Sequence, residues 1–141
     1  MAVDAVVSAL EGVALGTRPA TAAPLSFLMI GPTGTGKTQM AELTAQALGR
    51  DFYKVDMGNF KDKEGLWQLL GSPQGYVGGE GMLTRRVLDH PDTVVLFDEI
   101  EKASPEMFDW MLPMLDNGDV RDRKTDQLVS FTRTLLFFTS N

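Results

Sequence analysis

The sequence predicts an α/β layered fold with a mostly parallel sheet, and three observations carry that prediction. Short apolar runs alternate along the chain with segments whose apolar residues recur at helical spacing. The runs end in glycine or in acids, as buried parallel strands do where their carboxyl ends face a ligand. A glycine-rich stretch, Gly31–Thr38, stands between the first such run and the helix that follows it.

In chain order, Val3, Val6, Val7, Leu10 and Val13 share one helical face. Gly16 to Pro24 reads as a loop, and Leu25–Ile30 as a buried strand. Met40, Leu43, Ala47 and Leu48 mark the next helix, with Gly49 as its stop. Phe52–Met57 reads as the second strand and Leu66–Leu70 as a short helix. Ser72–Gly81, carrying Pro73, Gly75, Gly78 and Gly79, has to be loop. Met82–Leu88 reads as a helix and Thr93–Asp98 as the third strand. Ser104-Pro105-Glu106 is a helix start, with a hydroxyl cap, proline at the first position and an acid in the first turn. That helix carries Met107, Phe108, Met111, Leu112, Met114 and Leu115, with a kink expected at Pro113. Asn117-Gly118 is a turn, Asp119–Ser130 a polar hairpin and Thr134–Thr139 the fourth strand.

A length of 141 residues suits one domain with a hydrophobic core, and 43% hydrophobic with 23% charged residues is globular composition. The net charge of −6 argues against a whole-surface basic field, so no nucleic-acid partner is expected. With no cysteine, disulfides and thiolate metal sites are excluded. The first residues lack the pattern of a signal peptide, and no apolar run approaches the ~20 residues that span a bilayer. A soluble, cytoplasmic protein without a membrane partner is the expectation.

Gly31-Pro32-Thr33-Gly34-Thr35-Gly36-Lys37-Thr38 fits G-x-x-x-x-G-K-[ST] at every fixed position. Glycines let successive N–H groups curl around phosphate oxygens, and the next helix adds the positive end of its dipole. Lys37 supplies a compact charge for the β- and γ-phosphates of ATP, and the Thr38 hydroxyl can ligate Mg²⁺. The bland alternative, a glycine-rich turn that matches by accident, is opposed by the strand before the motif and the helix after it. Together with the alternating elements, the motif makes the expected fold a three-layer P-loop NTPase sandwich.

Val94–Phe97 is an apolar run that delivers Asp98 and Glu99 at its carboxyl end, 61 residues after Lys37. Asp98 suits the positioning of hydrated Mg²⁺, and Glu99 suits a base that orients and deprotonates an attacking water. Acids at a strand end are common and weak by themselves; a complete phosphate loop upstream is what gives this pair a role.

Several further segments resemble the second-type nucleotide-binding domain of Clp-family AAA+ unfoldases and disaggregases. They are Phe27-Leu28, Asp56-Met57, Gly71–Gly78, Leu83-Thr84, Leu96–Ala103, Asp116-Asn117-Gly118 and Thr139-Ser140-Asn141. The resemblance covers almost the whole chain, so residues 1–141 are read as one partial AAA+ nucleotide-binding domain. It implies a large-subdomain sheet ordered 5-1-4-3-2, truncated here before the fifth strand, the arginine finger and the helical lid. It also implies that Asn141 senses the γ-phosphate and lytic water, and that Tyr76-Val77 belong to a pore loop gripping polypeptide in a homo-oligomeric, hexameric ring. The implied activity is hydrolysis of Mg·ATP driving protein unfolding or disaggregation, weak in this piece alone. A nucleotide-gated assembly module without threading, or a nucleic-acid motor, are the competing readings.

Some positions depart from that family pattern. Asn59 stands where an acid is usual, Gly79-Glu80-Gly81 shorten the pore segment, and Arg85-Arg86, Leu88-Asp89-His90 and Pro113 are atypical. These bear on subunit contacts and pore-loop reach, not on the nucleotide site. His90 reads as a surface or capping residue and the helix methionines as core. Trp67 and Trp110 read as core or subunit contacts, and Lys61–Glu64 as a solvated face. Arg121, Arg123 and Arg133 read as locally structural.

Overall fold

The computed structural model describes residues 23–32, 36–60 and 62–140. The amphipathic segment expected over Val3–Val13, most of the loop from Gly16, and Thr33, Gly34, Thr35, Lys61 and Asn141 lie outside the described residues.

Four strands form one sheet: β1 (Leu25–Ile30), β2 (Phe52–Asp56), β3 (Val94–Asp98) and β6 (Leu135–Ser140). Their order is β1-β6-β3-β2 and every pairing is parallel, which is the expected 1-4-3-2 order of the four apolar runs. Parallel strands need crossover connections, and helices supply them. These are α1 (Lys37–Leu48), α2 (Lys63–Leu70), α3 (Met82–Asp89) and α4 (Pro105–Asn117). A short antiparallel hairpin, β4 (Asp119–Arg121) with β5 (Leu128–Ser130), stands apart from the main sheet.

Side-chain alternation along β3 and β6 divides the core in two. Val94, Leu96, Leu135 and Phe137 meet Ala41 and Ala45 of α1 on one face. Val95, Phe97, Leu136 and Phe138 meet α2, α3 and α4 on the other, through residues such as Leu69, Leu83 and Met107. Helix, sheet, helix is the layering expected of buried parallel strands. On α4 the buried set is Met107, Trp110, Met111 and Met114, one stripe at helical spacing.

Local details differ from or add to the expectations. β1 is not buried on both faces: Phe27 stacks on Phe137 at 5.1 Å, while Leu28 and Ile30 are 60% and 73% exposed. Among the described residues β1 is the outer strand, and no described helix covers its second face. Ser104 occupies the N-cap of α4 but makes no side-chain cap bond, so Pro105 and the first-turn acid Glu106 mark the start. Pro113, where a kink is expected, lies inside α4 on its exposed side, where water can serve the carbonyl that lost its partner. Asp62, read as merely solvated, caps α2 by accepting the N–H of Gly65 at 2.9 Å.

Candidate functional site

The carboxyl ends of the four parallel strands gather the polar residues that the sequence singled out. At the end of β1 come Gly31 and Pro32, and the described chain resumes at Gly36, which opens α1 in the left-handed conformation at φ 83°. A side chain there would be strained, so glycine is required where the loop turns into the helix. Lys37 and the half-buried Thr38 form the first turn. The Lys37 ammonium donates to the carbonyl oxygens of Gly31 and Ser140, the latter at 2.9 Å. It thereby ties the ends of β1 and β6 together at the point where α1 presents its N-terminal N–H groups.

Asp98 closes β3, the strand beyond β6 in the sheet, and Glu99 follows it. Asp98 accepts the Thr139 hydroxyl on Oδ1, and its Oδ2 lies 3.6 Å from Lys54 Nζ on β2. Glu99 is one of two described non-glycine residues with positive φ, at φ 58° and ψ 56°. Its N–H donates to Thr139 Oγ1 at 3.0 Å, and its Oε2 pairs with Lys102 at 2.9 Å. The hydrogen bond and charge of Glu99, reinforced by Asp56 and Glu101, hold the Lys102 ammonium above its ordinary pKa. Gly58 lies close beneath: a Cβ there would stand 3.2 Å from Asp56 Oδ1 and 3.8 Å from Glu99 Oε2.

Thr139 was not singled out for its hydroxyl, yet it joins both acids. Its Oγ1 donates to one residue and accepts from the other, using both capacities of a hydroxyl. The only signal in the sequence is a hydroxyl residue inside an apolar strand, and its partners lie about forty positions earlier. Ser140, the next residue, bonds Lys37. The end of β6 is thus the bridge between the phosphate-loop lysine and the acidic pair. Among the described residues no group of three or more His, Asp or Glu could hold a metal. One carboxylate and one hydroxyl do suit Mg²⁺, which keeps most of its waters and binds through one or two carboxylates plus phosphate.

The aromatic loop lies between α2 and α3. Tyr76 is 57% exposed and Val77 fully exposed, and Gly75 and Gly78 have positive φ. The Tyr76 ring tilts against Trp67 of α2 with centroids 5.0 Å apart. The expected exposed tip is there, and so is an aromatic contact to its own domain. His90 caps the end of α3 and faces Asp51 at 3.0 Å, so it has the bland role expected. Arg121 bonds the Asp126 carbonyl at 2.6 Å within the hairpin, and Arg86 covers the Tyr53 ring at 5.1 Å. A cleft lined by Trp110, Pro113, Val120 and Leu128 belongs to the hairpin and includes neither the acids nor Lys37 in its walls.

Comparison with known proteins identifies the family. The model of the family described as AAA domain (Cdc48 subfamily) matches residues 23–141. The chain is 43% identical to the chaperone protein ClpB of Corynebacterium glutamicum, over 98% of this chain and 16% of that protein. Against the ClpB of Bacillus cereus the identity is 42%, with the same shares covered. The ATP-dependent Clp protease ATP-binding subunit ClpC of Staphylococcus aureus is 43% identical over 82% of this chain and 15% of its own length. The chain therefore spans about 16% of the length of the ClpB relatives that it matches.

Proposed function

The chain belongs to the AAA domain (Cdc48 subfamily) family as a Clp-type member, and from that premise we propose that it binds Mg·ATP at the ends of β1, β3 and β6 and hydrolyses it. The observation that carries this reading is the double engagement of β6: Ser140 holds Lys37 while Thr139 holds Asp98 and Glu99.

The chemistry follows from the side chains. Gly31 and Pro32 turn the chain out of β1, the N–H groups of Thr33, Gly34, Thr35 and Gly36 curl around the phosphates of ATP, and Lys37 neutralises the β- and γ-phosphates. Thr38 and Asp98 would hold Mg²⁺, which supplies positive charge to the transferred phosphoryl group. Thr139 fixes the Asp98 carboxylate by donating to one of its oxygens. Glu99 accepts the proton of the attacking water, and Asn141 donates to phosphate while accepting from that water. Before that step the Glu99 carboxylate has to leave Lys102, to which it is bonded here.

Tyr76 and Val77 are proposed to grip extended polypeptide through apolar and aromatic contact, in a hexameric ring of the full-length protein in the cytoplasm. Among the described residues no helix is long and apolar enough to cross a membrane. The contact of Tyr76 with Trp67 favours a second reading, a nucleotide-gated assembly module whose loop stays on its own domain. Replacing Tyr76 with Ala in the full-length protein separates the two. A remodeller keeps ATP turnover and loses threading; an assembly module changes in neither.

A thermal-shift titration with Mg·ATP, comparing wild type with Lys37→Ala, tests the nucleotide site. Ligand at 100 times its Kd stabilises the native state by about 2.7 kcal/mol. Stabilisation of wild type alone is expected. Equal behaviour of the two folded proteins would sink the assignment.

A further inference from the structure

Asp122 is a buried carboxylate that the nucleotide chemistry does not use. It is 3% exposed, just past β4 in the turn of the hairpin, and both of its oxygens are occupied. Oδ1 accepts the N–H groups of Lys124 at 2.8 Å and Thr125 at 3.0 Å. Oδ2 accepts the N–H of Gly81 at 2.8 Å and the hydroxyl of Thr84. The first pair shapes the turn itself. The second pair reaches back across the chain to the start of α3, where the aromatic loop ends.

The other arm of the loop rests on the same turn. Arg123 N–H donates to the Leu70 carbonyl at 2.8 Å. Gly71, at φ 99°, lies so close that a Cβ would stand 2.6 Å from Asp122 Oδ1 and 2.9 Å from Lys124 N. Any other residue at Gly71 would therefore push the arm off its seat. The two arms are joined above the turn by Ser72 N–H donating to the Gly79 carbonyl at 3.1 Å. Gly78 packs on Ser72, leaving 2.6 Å between a Cβ there and the Ser72 hydroxyl. Lys124 Nζ reaches the Tyr76 carbonyl at 3.1 Å. Burial works to raise the pKa of Asp122, yet the hydrogen bonds from Thr84, Thr125, Gly81 and Lys124 outweigh it and hold the carboxylate below its ordinary value. The charged form is the one that the turn is built around.

The hairpin is in turn continuous with the nucleotide side. β5 ends at Ser130 and β6 begins at Leu135, and Phe131 N–H closes on the Gly118 carbonyl at 2.6 Å. β6 then runs to Thr139 and Ser140, which hold the acids and Lys37.

We propose that Asp122 is the positioning residue of the aromatic loop, seating both of its arms on the hairpin turn so that loop and hairpin move as one body attached to β6. The reading of Tyr76-Val77 as a polypeptide grip gives this device its use; how the loop is held does not depend on that reading.

Hydrogen exchange of the full-length protein tests it, with Asp122→Asn and Thr84→Val beside wild type. Asn keeps one acceptor oxygen for the turn but sets an NH₂ group against the Gly81 N–H or against the turn amides. Thr84→Val removes one of the two cross-chain bonds and leaves Asp122 intact. The amides of residues 72–81 should exchange about tenfold faster in Asp122→Asn and less so in Thr84→Val. Amides of β3 and β6 should keep their wild-type rates, and ATP affinity should stay within about twofold, since neither side chain bonds Lys37, Asp98 or Glu99. Unchanged protection of 72–81 in either folded variant overturns the proposal, as does protection lost equally over the whole chain. Should Asp122→Asn fail to fold, Thr84→Val carries the test. Threading assays separate the two readings: a loosened loop with normal threading sinks the polypeptide grip and leaves the seat standing. Lost threading with a loop as protected as in wild type sinks the seat.

Discussion

Asp98 and Asp122 invite comparison, because each accepts a hydroxyl from a threonine about forty residues away, yet the two end up in opposite states. Asp122 has four donors on its two oxygens and almost no contact with water. Asp98 has one hydroxyl on Oδ1 and a half-exposed lysine 3.6 Å from Oδ2, at the open end of a strand. A carboxylate whose lone pairs are all taken by neutral donors is a structural joint. One that keeps lone pairs facing solvent can exchange partners, which binding a hydrated cation requires. The same residue type is made rigid in a turn and left available at a strand end.

The largest expected effect lies on the open side. Glu99→Gln in the full-length protein should lower ATP turnover by about 10²–10⁴-fold, the usual worth of a general base, while nucleotide binding persists. Rapid-mix turnover beside equilibrium binding reads both. Turnover within a factor of a few of wild type would remove Glu99 from the chemistry.

A smaller effect, in stability, contrasts the two aspartates directly. Asp122→Ala strands the buried donors of Gly81 and Thr84 and should destabilise the fold by about 2–4 kcal/mol. Asp98→Asn keeps an acceptor for Thr139 at a partly exposed position and should change stability by less than about 1 kcal/mol. Urea denaturation of both variants measures the difference, and similar values would erase the distinction drawn here.

The smallest effect is a dependence on acid. Because the folded pKa of Asp122 is depressed, its contribution is fully present above the unfolded value of about 3.9 and is lost as pH falls through the folded value. Exchange protection of residues 72–81 should therefore hold at pH 5 and decline only below about pH 4. A decline centred near neutral pH would assign the joint to another group.

Most of the sheet was legible because each strand carries its own punctuation. Ile30 runs into Gly31, Phe97 into Asp98, and Thr139 closes the fourth run, and all four runs became strands; their order was expected from the family resemblance and not from the residues. Less legible was what depends on distant partners. The face of β1 that the described residues leave exposed could not be seen in Leu25–Ile30, whose composition is that of a strand covered on both sides. The hydroxyl of Thr139 has no local reason to matter, and Asp122 looked like one more polar residue in a polar hairpin. Both act on groups about forty residues away, where periodicity and spacing carry no information. The pair Asp98-Glu99 was legible because the acids are adjacent and follow an apolar run. Thr33, Gly34, Thr35 and Asn141 remain proposals from sequence, lying outside the described residues.

Glu99 occupies the left-handed region, where an L side chain crowds the following carbonyl and glycine does not. A Glu99→Gly exchange should relieve strain of about 1–2 kcal/mol while deleting the proposed base. A library sorted only for heat resistance or expression would then enrich inactive clones at this codon, and their higher melting points would look like success. Improving this protein by directed evolution calls for an activity screen at every round, because here resilience and turnover pull one residue in opposite directions.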